Sequence, residues 1–172
     1  DSTWDSLQRQ LRAGLNMGLA GIPWWTTDMG GFHGGNGDDP EFRKLLVRWM
    51  EYSCFCPVFR LHGNRSPLAG GGDMITGIGS FGTGADNEVW SYGEKILGIF
   101  KKYLFLRERL RPYIASLMKD AHEKGTPVMR PLFYDFPQDR QSWDEDDSYM
   151  FGQDLLVAPV IEDATKRSVY LP

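Results

Sequence analysis

The sequence predicts an α/β fold: a piece of parallel sheet with helical crossovers, followed by a stretch made only of strands. Three observations support it. Helix-like and strand-like patterns alternate up to about residue 125, as they do where helices join parallel strands. Each strand-like run in that part is short and apolar and closes on a polar residue. Beyond Gly125 the strand-like runs follow one another with no helical pattern between them, which marks a domain boundary there. The expected division is 1–125 for the α/β part and 126–172 for the β part. A complete (β/α)8 barrel needs about 250 residues. The 172 residues here supply only two of its strands and their helices.

The elements follow in order. Ser2-Thr3-Trp4-Asp5 opens a helix, with Ser2 and Asp5 at capping-box spacing. Trp4, Leu7, Leu11, Leu15 and Leu19 share its apolar face, and it ends near residues 18–21. Residues 22–27 read as a buried strand closed by Asp28, and 29–37 as a loop. Asp39-Pro40 is a cap followed by proline at the first helical position. Phe42, Leu45, Leu46, Trp49, Met50 and Ser53 line one face of the helix that follows. Residues 57–62 are the second strand, and 63–87 a glycine-rich loop with seven glycines between Gly70 and Gly84. A long helix is expected over 90–124, kinked or restarted at Pro112 and stopped by Gly125. Strands are expected over 128–136, 150–161 and 168–171. The chain opens on a helix cap and closes within a strand-like run, so both ends read as cut.

Composition excludes several classes. A net charge of −4 gives no support to nucleic-acid binding, and no long apolar run points to a membrane. Cys54 and Cys56 lack companion ligands for zinc and read as buried thiols. There is no dinucleotide fingerprint and no phosphate-binding loop, so no cofactor and no metal is predicted. His33 reads as a solvated loop residue and His122 as a cation at a helix C-terminus. Residues 144–147 read as a solvated acidic turn.

The candidate chemistry lies where the two strands of the α/β part end, as it does in β/α barrels. Asp28 follows the first strand; Arg60 and His62 end the second; Trp24, Trp25 and Phe32 surround them. Charged groups hydrogen-bond hydroxyls strongly, and aromatic rings stack on the flat faces of sugars. The same residues admit a plainer reading, in which Asp28 caps a turn and Arg60 pairs with a carboxylate.

The run Gly21-Ile22-Pro23-Trp24-Trp25-Thr26-Thr27-Asp28-Met29-Gly30-Gly31-Phe32 resembles the seventh barrel strand of glycoside hydrolase family 31. Members usually carry Asp-Ile-Gly-Gly-Phe there, so Met29 is a departure. Arg48-Trp49, Pro57-Val58-Phe59-Arg60-Leu61-His62-Gly63 and Asn87-Glu88-Val89-Trp90-Ser91-Tyr92-Gly93 fit the same family in order. So do Leu110-Arg111-Pro112-Tyr113, Thr126-Pro127-Val128-Met129-Arg130-Pro131-Leu132-Phe133 and the run from Tyr149 to Val160. The resemblance implies the last two strands of a (β/α)8 barrel, followed by the beginning of a β-sandwich. It implies a retaining α-glycosidase acting on terminal α-linked glucose or xylose, with an oligosaccharide or glycoside as partner. It places Asp28 and His62 on the sugar hydroxyls, Arg60 in support, and Phe32, Trp24 and Trp25 as apolar walls. No catalytic carboxylate falls within the chain: the family's nucleophile lies on an earlier strand, and its acid/base aligns two residues before Asp1. The chain alone is therefore expected to be inactive. A non-catalytic carbohydrate-binding module with the same pocket, or a structural half-barrel without a ligand, would also fit the residues. A cut barrel exposes a strand edge, so the expectation is either self-association or a core carried mainly by helices packing on Trp24, Phe59 and the long helix.

Overall fold

A computed structural model describes residues 1–69 and 83–172; the middle of the predicted glycine-rich loop lies outside the described residues. Helix α1 spans Trp4–Leu19 and buries Leu7, Leu11 and Leu15. Its N-cap is Thr3, whose hydroxyl accepts from Ser6 N at 3.1 Å, not the predicted Ser2. Ser2 Oγ instead donates to His33 O at 2.9 Å and so ties the helix start to the neighbouring loop. Helix α2 spans Pro40–Ser53, capped by Asp39 as the sequence predicts, and every residue of its expected face is buried.

Helix α3, Glu94–Lys124, runs unbroken through Pro112 and stops at Gly125 in the left-handed conformation. It begins four residues later than expected, because 88–91 form a turn closed by Ser91 N donating to Glu88 O at 2.8 Å. Its contribution to the core is modest: Ile96, Phe100 and Ile114 are buried, while Leu104 is exposed.

Regular strands lie elsewhere than the apolar runs suggest. Residues 22–28 and 57–62 are neighbours joined by Val58 N donating to Trp25 O at 3.0 Å, but neither forms a ladder. Pro23 and Pro57 each lack the N–H that a ladder uses. Nor is the first run fully buried, since Ile22 and Trp24 are exposed. Parallel pairing starts further on, between β1 (His33–Asn36), inside the predicted loop, and β2 (Asn64–Ala69), with His33 opposite Asn64. Antiparallel β3 (Thr83–Ala85) completes that sheet.

The second sheet is an antiparallel meander of β4 (Met129–Pro131), β5 (Tyr149–Phe151) and β6 (Leu155–Val157). The predicted long strand at 128–136 is cut short: Pro131 caps a one-turn helix α4, Leu132–Asp135, and a 3-10 turn follows at Arg140–Trp143. Residues 168–171 pair with no strand among the described residues. The acidic run is not simply solvated either, since Asp146 pairs with Arg12 at 2.7 Å and Asp147 with Arg167 at 2.6 Å. One continuous core joins α1, α2 and α3 to Val128, Met129, Tyr149, Phe151 and Val157 of the second sheet. No helix among the described residues is long and apolar enough to cross a membrane.

Cys54 and Cys56 are free and buried, as the sequence suggests. Burial pushes the Cys54 thiol up to about 11 and the Cys56 thiol up to about 12. Both stay protonated at neutral pH, where the thiolate is the reactive form. An unfolded cysteine ionises near 8.5, so folding holds these protons more tightly. The stabilisation is complete below about pH 8.5 and is lost as pH rises towards the folded values. Two outcomes follow: a thiol reagent at neutral pH labels neither cysteine until denaturant is added, and the denaturation midpoint falls on titration from about pH 9 upwards. Fast native-state labelling of either thiol would contradict the burial.

Candidate functional site

The site is built from two chain segments that leave the extended runs side by side. Thr27 is buried and accepts from Trp49 Nε1 at 2.8 Å, so α2 fixes the residue immediately before Asp28. Gly31 N donates to Asp28 O at 2.8 Å and closes a tight turn there. Gly31 has φ 86, and a Cβ at this position would sit 2.4 Å from Asp1 O. Opposite it, Gly63 has φ 125 and would place a Cβ 2.7 Å from Gly31 O. Only glycine lets the two backbones approach this closely. Asn64 N donates to Phe32 O at 2.8 Å and locks the crossing.

The predicted residues separate into groups. Asp28 and Arg60 meet: Arg60 Nε and Nη2 both donate to Asp28 Oδ1, the former at 3.1 Å. The carboxylate that the plainer reading assigned to Arg60 is thus Asp28 itself. Asp28 is mostly shielded and Arg60 half-exposed, and Asp28 borders a cavity of about 190 Å³ with Phe32, Gly31 and Arg9. Phe32 and His62 also meet, with ring centroids 5.5 Å apart and planes 32° apart. His33, expected to be a solvated loop residue, is exposed but lies in β1 and packs edge-on against Phe32 at 4.4 Å. His62 opens onto a second cleft, of about 400 Å³. Trp24 is 69% exposed. Trp25 turns the other way: its indole lies over Gly14 of α1 and donates to Tyr52 Oη at 3.3 Å, so it braces the site from the core side.

Sequence reasoning missed the residue that holds these segments together. Arg65 is fully buried, and among the described residues no carboxylate pairs with it. Its guanidinium donates to Met29 O at 2.6 Å, Gly31 O at 2.8 Å and Gly34 O at 3.2 Å. Its Nε donates to Asn87 Oδ1 at 3.0 Å, and the group lies over the Phe42 ring at 5.2 Å. Asn87 Nδ2 in turn donates to Gly63 O at 3.0 Å, and Tyr92 Oη donates to Asn87 Oδ1. Burial raises the Tyr92 hydroxyl's pKa, with the Arg65 hydrogen bond opposing it, so the phenol stays a neutral donor. The only signal in the sequence is indirect. A glycine-rich turn leaves bare carbonyls, which need donors when buried, and arginine carries five.

The arrangement brings a carboxylate–guanidinium pair, an imidazole and an aromatic ring to the ends of two neighbouring segments, where polar donors and acceptors sit beside an apolar surface. No group of three or more His, Cys, Asp and Glu side chains converges as a metal site among the described residues.

Comparison with known proteins gives the class. The sequence pattern described as the glycosyl hydrolases family 31 TIM-barrel domain matches residues 1–117, and that of the family's C-terminal domain matches 125–172. The chain is part of such a barrel domain followed by a β-rich part. It belongs to glycosyl hydrolase family 31. It is 37% identical to an alpha-xylosidase of Saccharolobus solfataricus over 98% of its own length and 21% of that relative. It is also 37% identical to alpha-glucosidase 2 of Bacillus thermoamyloliquefaciens, over 99% of its length and 19% of that relative. A GH31 alpha-xylosidase from a soil metagenome, solved with xylose, superposes with a TM-score of 0.94 at 56% identity, covering 100% of this chain and 26% of that one. The chain therefore spans about a fifth of the length of the curated relatives it matches.

Replacing Arg65 with Met removes the donors to Met29, Gly31, Gly34 and Asn87 without opening a large void. Buried acceptors left unpaired cost about 1–3 kcal/mol each, so the expected loss of stability is at least about 3 kcal/mol. Equilibrium denaturation of both proteins measures it, and a loss under about 1 kcal/mol would contradict the role assigned to this side chain.

Proposed function

We propose that the chain is the substrate-holding part of a retaining α-glycosidase that removes terminal non-reducing α-linked glucose or xylose. In this reading it supplies the last two strands of the (β/α)8 barrel and their helices over 1–125, and the start of the β-sandwich over 126–172. The observation that carries it is the pairing of Asp28 with Arg60 next to the Phe32–His62 ring contact, on two backbones held together at Gly31 and Gly63.

Each group has a physical task. Arg60 orients Asp28 through Oδ1, leaving Oδ2 to accept from a sugar hydroxyl. His62 offers a ring nitrogen to a second hydroxyl, while Phe32 covers an apolar face of the ring. Trp24 extends that wall, and Trp25 supports it from the core. The bond-breaking carboxylates, about 5–5.5 Å apart in retaining enzymes, belong in this reading to residues outside the chain. The exposed Ile22 is apolar surface left for the remaining barrel strands to cover, and in their absence it favours self-association of the chain.

The test has two arms. The 172-residue chain is expected to hydrolyse neither aryl α-glucosides nor aryl α-xylosides. In the longest form of the protein that contains it, Asp28→Ala and His62→Ala are each expected to lower kcat/KM about ten- to a hundredfold, the loss of one hydrogen bond to a charged or strongly polar group. Hydrolysis by the isolated chain, or unchanged kinetics in both variants, would refute the proposal.

A further inference from the structure

Beyond Asn87, the turn at 87–91 carries no residue of the site described so far, and its geometry is specific. Asn87 is pinned to Gly63 O at 3.0 Å, which sets the turn directly against the segment carrying His62. Glu88 Oε2 accepts from Asn87 N and from Ser91 Oγ, both at 3.2 Å, so the carboxylate is oriented. Val89 packs on the core and Tyr92 is buried, but Trp90 between them is 67% exposed. A single exposed apolar residue needs no explanation on its own. Here, however, the indole is held out between half-buried Val89 and buried Tyr92, and it lines the same cleft of about 400 Å³ as His62, Asn87 and Glu88. That volume falls in the range of small-ligand sites, about 300–1,000 Å³. A flat ring, a carboxylate and an imidazole around one cleft are the complement of a pyranose, which has apolar C–H faces and a rim of hydroxyls.

We infer that Trp90 and Glu88 form a second sugar subsite, which binds the leaving-group sugar of an α-linked oligosaccharide on the far side of His62. The inference rests on the function proposed above, with His62 shared between the two subsites. Trp90 stacks on the departing ring and Glu88 accepts from one of its hydroxyls. Binding energy drawn from this remote part of the substrate raises turnover of oligosaccharides and gives nothing to a substrate that lacks the second ring.

The experiment compares an α-linked disaccharide with the corresponding α-glycosyl fluoride, whose leaving group has no ring, in the longest form of the protein. The readout is the ratio of the two kcat/KM values. Trp90→Ala is expected to lower that ratio about tenfold or more, Trp90→Phe to keep it within about twofold, and Glu88→Gln to lower it about threefold. A damaged fold lowers both activities together and leaves the ratio unchanged. An unchanged ratio in Trp90→Ala and Glu88→Gln, whatever the absolute activities, overturns the subsite while leaving the proposed glycosidase intact. A wild-type protein that cleaves neither substrate overturns both.

Discussion

Backbone carbonyls left over by short strands set the terms of this structure. No strand among the described residues exceeds six residues, and the segments around the site pair only at isolated points. Buried carbonyls must still find donors. Arginine forks supply them. Arg65 serves the turn at 29–34, and Arg107 serves Cys54 O at 2.8 Å, Cys56 O at 2.5 Å and Pro57 O at 2.6 Å. Arg130 serves Gly152 O at 2.6 Å, and Arg167 serves Pro159 O at 2.8 Å. A buried cation costs several kcal/mol unless it is fully hydrogen-bonded. At Arg65 the donor surplus of the cation and the acceptor surplus of the turn cancel one another.

The proposed site depends on that cancellation at one remove. Asp28, Phe32 and His62 have no common partner, but the backbones that bear them are fastened to one guanidinium and to the Asn87 amide behind it. The same amide positions the turn that carries Trp90. Rigid placement of polar groups is what a sugar site requires, because hydroxyls distinguish ligands by angle as much as by distance.

Much of this was legible in the sequence. Asp39-Pro40 with its apolar face fixes α2, since capping chemistry and periodicity are both local. That Arg60 pairs with a carboxylate was also open to a reading of residue types alone, and the partner is Asp28. What failed was non-local. Ser2 has the spacing of a cap but is drawn off by His33 O, and Thr3 takes its place. The strand β1 hides in His33-Gly34-Gly35-Asn36, a run with no β propensity, because its pairing is dictated by β2 across the Gly63 crossing. Arg65 reads as an ordinary solvated charge until the carbonyls around it are counted.

The grip of Arg65 on main-chain oxygens has a corollary. A frame that recognises only carbonyls is blind to the side chains those residues carry. The side chain at position 29, here a buried Met, can therefore change while the turn keeps its shape, provided the replacement fills the same buried space. The shape of the turn then depends on one arginine and two glycines, not on the side chains it carries.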